Sequence, residues 1–133
     1  MTNVIGIHKV SAYLAVEGAA EAIEFYKKAF GAALGTRMEE PDGRIGYAEL
    51  TIGETVVMIS DAWPDMRVLS PLSLNGNSVS LVVEVEDADA AWGRALGAGA
   101  SIERPLKDEP YGRTGWVVDP YGHRWCINAP IQG

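Results

Sequence analysis

A stretch of this chain recurs at an offset of 69 residues, and that recurrence restricts the possible folds more than any other feature. Pro41-Asp42-Gly43-Arg44-Ile45-Gly46-Tyr47 reads Pro-x-Gly-Arg-x-Gly-aromatic, and so does Pro110-Tyr111-Gly112-Arg113-Thr114-Gly115-Trp116. The same offset superposes Val16-Glu17 on Val85-Glu86, Ala19 on Ala88, Ala22 on Ala91 and Gly53 on Gly122. Such a unit is too long for a solenoid repeat and too short to bury a comfortable core alone. The 133 residues therefore read as a single domain, 1–133, made of two copies of one supersecondary module. Module 1 spans 1–63 and module 2 spans 78–133. Residues 64–77, with two prolines, Asn75 and Gly76, form the linker.

Each module reads as β-α-β-β-β. In the first, residues 10–16 suit a strand and Glu17-Gly18 breaks it. Ala19, Ala22, Ile23, Tyr26 and Phe30 then fall on one helical face, with Glu24 and Lys28 spaced to pair on another. Gly31 suits a left-handed C-terminal cap. Three strands fit residues 33–38, 46–52 and 55–60, separated by Pro41-Asp42-Gly43 and Gly53-Glu54. In the second module, residues 78–85 suit a strand and Asp87 an N-cap. Ala88, Ala91, Trp92, Ala95 and Leu96 form the apolar stripe, closed by Gly97 and Gly99. Strands near 101–104, 115–118 and 124–128 follow, with Pro110-Tyr111-Gly112 and Asp119-Pro120-Tyr121-Gly122 as turns. The fold class is α+β: tandem βαβββ modules whose curved mixed sheets, each covered outside by a helix, form a partly closed cup. Such a cup is a ligand cavity by construction.

Charge narrows the partners. A net charge of −7 disfavours nucleic acid and anionic membranes, which want a basic face. It is compatible with cationic ligands. A lone cysteine, Cys126, excludes an internal disulfide framework. Met1-Thr2-Asn3 opens no charged-then-apolar leader, and no apolar run is long enough to span a membrane. A cytoplasmic location is expected.

Tyr13-Leu-Ala-Val16, then Ala22-Ile-Glu-Phe-Tyr-Lys-Lys-Ala-Phe-Gly31, then Asp119-Pro-Tyr-Gly-His-Arg-Trp125 resemble the vicinal oxygen chelate superfamily. That superfamily includes glyoxalase I, extradiol dioxygenases, and fosfomycin and bleomycin resistance proteins, and the style is that of its PhnB-like subgroup. The resemblance implies the glyoxalase/bleomycin resistance fold across almost the whole chain. It also implies a divalent metal held by His, Glu or Gln from the first and last strand of each module. Carried onto this sequence, those places hold Ser11, Val57 or Met58, Ser80 and Cys126. None is a histidine or carboxylate, whereas a stable divalent site wants three or four such donors. No metal and no cofactor are expected, and metal-dependent lyase or dioxygenase activity is disfavoured.

His8 lies three residues from Ser11, on the opposite strand face. His123 reads as a hydrogen-bonding turn residue, and Cys126 as a small buried apolar one. Strand parity places Tyr13 and Ala15 beside an inward Ser11. It places Arg124 and Asn128 beside Cys126, and Ser78, Val82 and Glu84 beside Ser80. Arg124 and Glu84 either pair with each other or meet a polar ligand. Trp125 faces the helix, as core. Trp63 and Tyr111 sit in or beside rim loops where a ring can stack on a ligand. Glu49 lies mid-strand, able to bind a cation or act as a base. Arg44 and Arg113 belong to a duplicated hairpin device, with a phosphate role as the alternative. The candidate ligand-binding set is Ser11, Tyr13, Glu49, Met58, Trp63, Ser80, Glu84, Tyr111, Arg124 and Cys126. The expected function is metal-free binding of a small molecule, in the manner of sequestration or resistance proteins, in a homodimer. The alternative is a superfamily lyase, isomerase or dioxygenase acting on a small organic substrate.

Overall fold

The computed structural model describes residues 5–131; the leader reading at residues 1–3 lies outside them. The element order is β1 (Tyr13–Val16), α1 (Ala19–Phe30), β2 (Ala33–Glu39), β3 (Ile45–Ile52) and β4 (Thr55–Asp61). After a 3-10 turn at Pro64–Met66 come α2 (Pro71–Leu74), β5 (Leu81–Glu84) and α3 (Ala88–Ala98). β6 (Ser101–Glu109), β7 (Gly112–Val118) and β8 (Arg124–Pro130) complete the chain. The two βαβββ units make two separate four-stranded sheets, ordered β1-β4-β3-β2 and β5-β8-β7-β6. Each is mixed: β1–β4 and β5–β8 are parallel and the remaining pairs antiparallel. Neither sheet closes on itself.

Local chemistry accounts for the boundaries. Gly18, with φ 89°, turns the chain out of β1, and Gly31, with φ 68°, ends α1 as its spacing predicts. The N-terminus of α1 is held from elsewhere in the sequence. One Asp61 oxygen accepts from the Gly18 and Ala19 N–H groups, both at 3.0 Å, and the other accepts from Ile45 N–H at 2.7 Å. Asp87 caps α3 as expected, accepting from Ala90 N–H at 3.0 Å. The expected Glu24–Lys28 pair gives way to Glu24–Lys27 at 3.0 Å, one turn position closer. Helix α3 runs through Gly97 and ends only at Gly99. β6 and β7 are longer than the sequence suggests, and register shifts between Arg104 and Lys107 absorb Pro105 on the edge strand.

The core lies between the sheets. Leu14, Val16, Ala48, Leu50, Val57 and Ile59 bury one face of the first sheet under α1. Val117, Trp125 and Ile127 do the same in the second. The two helices pack on each other. Arg94 of α3 donates to the Lys28 carbonyl (2.6 Å) at the C-terminus of α1, where a cation also meets the helix dipole favourably. Tyr26 and Phe30 of α1 reach Trp125, with ring centroids 5.6 and 4.5 Å apart. Asp119, buried, accepts from the Tyr26 hydroxyl at 2.5 Å and the Trp125 indole at 2.9 Å. Both helix-covered faces thus turn inward, and both uncovered sheet faces turn away from the shared centre. Within one chain the uncovered faces do not meet as one cup.

Candidate functional site

The uncovered face of the first sheet is built in rows. Register sets Tyr13 beside Met58 and Met58 beside Glu49, across β1, β4 and β3. Tyr47 shares this face, its hydroxyl donating to Glu49 Oε2. That contact raises the Tyr47 pKa, because ionising the phenol would set it against a carboxylate. Tyr13 meets Tyr47 edge to face at 5.9 Å, and its hydroxyl donates to the Gly46 carbonyl at 3.0 Å. Trp63 stands at the end of this face, its ring covered on one side by the Arg44 guanidinium at 3.6 Å.

The second uncovered face repeats the arrangement with different chemistry. Val82, Cys126 and Trp116 form the corresponding row, and Glu84, Asn128 and Thr114 the next. Cys126 is buried, as expected, with Sγ 3.1 Å from the Thr114 hydroxyl. The Asn128 Oδ1 is buried without a hydrogen-bond partner, an acceptor left open on this face. Arg124 does not pair with Glu84. It lies 4.1 Å over the Trp116 ring, donates to Ser80 Oγ at 2.7 Å and pairs with Glu103 at 2.6 Å. The guanidinium holds Glu103 below its ordinary carboxyl range. Glu84 stays exposed.

The ladder corrects the internal alignment. Met58 stands where Cys126 does, while Val57 is buried under α1. The offset falls from 69 residues at Tyr13/Val82 to 68 at Met58/Cys126 and 67 at Glu49/Trp116. Thus Trp116 matches Glu49 in the ladder, where the sequence repeat pairs it with Tyr47. The resemblance's metal positions become Ser11, Met58, Ser80 and Cys126: two hydroxyls, a thioether and a thiol. That donor set does not fit a hard divalent ion. Among the described residues no three His, Cys, Asp or Glu side chains group to hold a metal.

Of the candidate set, Tyr13, Glu49 and Met58 share one face, with Ser11 just ahead of its first strand and Trp63 at its end. Glu84, Arg124 and Cys126 belong to the other sheet, with Ser80 just ahead of β5. Tyr111 is exposed at the β6–β7 turn. The structure brings each group together and keeps the two groups apart. His123 makes a turn-side bond, as read, through Nε2 to the Ala15 carbonyl at 3.0 Å, which joins the modules. His8 lies outside both groups. Arg44 pairs with Asp42, and Arg113 with Asp89 and Asp108, so neither is a free anion site. Sequence reasoning placed Asn128 beside Cys126 but missed Trp116 and Glu103 as neighbours there. Strand alternation from Cys126 carries a signal for Asn128 alone.

The chain belongs to the Glyoxalase/Bleomycin resistance protein/Dioxygenase superfamily, which it matches over residues 6–127. It is 41% identical over 127 residues to the Mycobacterium bovis protein Mb0911c, covering 92% of this chain and 84% of the relative. The fold is similar to that of TioX from Micromonospora sp. ML1, with a TM-score of 0.72 and 28% identity over 94% of this chain and all of that one. It is likewise similar to TnmS3, an antibiotic binding protein from Streptomyces sp. CB03234, with a TM-score of 0.68 and 22% identity over 95% and 98% of the two chains. No helix among the described residues is long and apolar enough to cross a membrane.

Proposed function

We propose that this protein binds a small organic molecule in a cup completed by a second copy of the chain. The first uncovered face of one copy lies against the second uncovered face of the other. One observation carries this reading: all but Tyr111 of the candidate residues lie on or beside two faces that look away from each other within a chain. Exposed apolar groups on those faces support it, with Tyr13 at 50%, Val82 at 59% and Met38 at 59% exposure. An unpaired patch of this kind marks a contact surface. The bound-ligand role described for TnmS3, which shares the fold, points the same way. A two-fold pair would create two equivalent cups, each lined by Tyr13, Glu49 and Met58 of one chain and by Glu84, Trp116 and Arg124 of the other. The site uses no divalent ion, because the donors are of the wrong kind. The protein acts in the cytoplasm as a ligand-sequestering or resistance protein.

Titration with a broad panel of small organic compounds, followed by tryptophan emission, tests the proposal. Trp63 and Trp116 border the uncovered faces, whereas Trp125 is buried in the core. Binders are expected to quench emission, at one ligand per chain, and Trp116→Phe to remove much of the change. A panel without a single binder contradicts the reading.

A second reading, a superfamily lyase or isomerase, draws on the Tyr47–Glu49 contact. A carboxylate oriented by a phenol on a ligand-facing sheet is placed to take a proton from a bound substrate. Turnover of a bound compound that Glu49→Gln abolishes without weakening binding would favour it over simple sequestration.

A further inference from the structure

One cleft on the first uncovered face is formed by a single chain. The loop after β4 is tied across its base by backbone bonds between Trp63 and Val68, at 2.8 and 3.1 Å. Within it, Met66 N–H donates to the Trp63 carbonyl at 2.9 Å. This holds Trp63, Met66 and Val68 opposite Tyr13, around a cleft of about 620 Å³. The volume suits a small organic molecule. Glu40, just beyond β2, closes another side. Its carboxylate folds over Gly46, where an added methyl group would collide with it.

The polar groups of the cleft are nearly all in use. The Tyr13 hydroxyl donates to Gly46 and the Ser60 hydroxyl to the Asp61 carbonyl (3.0 Å). Arg44, on Trp63, is matched by Asp42 at 2.8 Å, and Asp61 and Asp65 add further negative charge around it. Asp61 is satisfied by three backbone N–H groups. Glu40 is different. Its carboxylate has no cationic partner among the described residues, and it lines the same cleft as the Tyr13 and Trp63 rings and the Met66 thioether. Rings and a thioether attract an organic cation, and an uncompensated carboxylate selects it over a neutral molecule.

We infer that this cleft takes an organic cation: a protonated amine or quaternary ammonium on an apolar body. The charge sits between Glu40 and the Tyr13 ring, and the body rests on Met66 and Val68. The inference deepens the small-molecule reading and rests on it for the cleft's place on a ligand-facing sheet. Its lining needs no second chain.

The test uses benzyltrimethylammonium and its neutral carbon isostere, neopentylbenzene, titrated into the whole protein. Binding is read from the Trp63 indole N–H resonance, assigned with Trp63→Phe. The cation is expected to bind on the order of 10-fold tighter than the isostere. Glu40→Gln, at an exposed position, is expected to erase most of that preference and leave the isostere unaffected. Equal affinity for both probes overturns the cation inference and leaves the small-molecule reading standing. So does an undiminished preference in Glu40→Gln. If neither probe shifts the Trp63 resonance, the inference falls, and the panel titration decides the wider reading on its own.

Discussion

Asp119 shows at single-residue scale how the two modules are joined. Its buried carboxylate accepts from Tyr26, 93 positions away, from the Trp125 indole, and from the Tyr121 and His123 N–H groups. Tyr26→Phe removes one charge-assisted donor and is expected to cost about 1.5–3 kcal/mol in urea unfolding. The pH dependence has a definite sign. Burial first, and Asp119 second, raise the Tyr26 pKa well above its ordinary value. Below about pH 10 both folded and unfolded chains keep the phenolic proton, and the contribution is complete. Above it the unfolded chain releases the proton while Tyr26 retains it, so stability declines as pH rises towards the folded value. Tyr26→Phe is expected to flatten that alkaline decline in unfolding measured from pH 9 to 11. Parity alone makes Trp125 legible as core. The Asp119–Tyr26 bond has no sequence signature, because nothing local in Asp119-Pro120-Tyr121-Gly122 indicates a partner in the other module. Arg124 was only half legible. Its strand face follows from spacing, but its true partner, Glu103, is on β6, two strands away.

At the scale of elements, the repeat reveals α1, α3 and most strands, because a doubled pattern supplies its own check. It fails where loops differ in length. Gly53-Glu54 joins β3 to β4 with two residues, while five residues, 119–123, join β7 to β8. A constant offset therefore mispairs Tyr47 with Trp116 and leaves Val57 and Met58 undecided until the hydrogen-bond ladder places them. Helix capping separates the modules in a testable way. Asp87 is exposed and caps α3 with one bond, whereas Asp61 holds two N–H groups of α1 and the N–H of fully buried Ile45. Asp87→Ala is expected to cost about 0.5–1 kcal/mol, the lower part of the usual cap range. Asp61→Ala is expected to cost about 2–4 kcal/mol, since it also strands a buried donor. Midpoints of urea unfolding at unchanged slope measure both; equal costs would show that the Asp61 bonds contribute no more than a surface cap.

At the scale of the molecule, the net charge and the sheets describe different things. The charge of −7 disfavours polyanionic partners, while the topology determines where a ligand site is possible. Helices fill the space between the sheets, so a cup that uses both uncovered faces requires two chains. The sequence left pairing within or between chains open, because a linker of residues 64–77 permits either. The inward packing of Tyr26, Phe30 and Trp125 supports the proposed pairing between chains. Val82 is the most direct probe of the second face, being exposed at the edge-strand end of its row. Sedimentation equilibrium of the wild-type protein and Val82→Arg at tens of micromolar is the measurement that tests the two-chain cup most directly. The expected result is a wild-type mass of two 14.3 kDa chains, falling to one chain in Val82→Arg. A wild-type mass of a single chain, or a pair that Val82→Arg leaves intact, would contradict it.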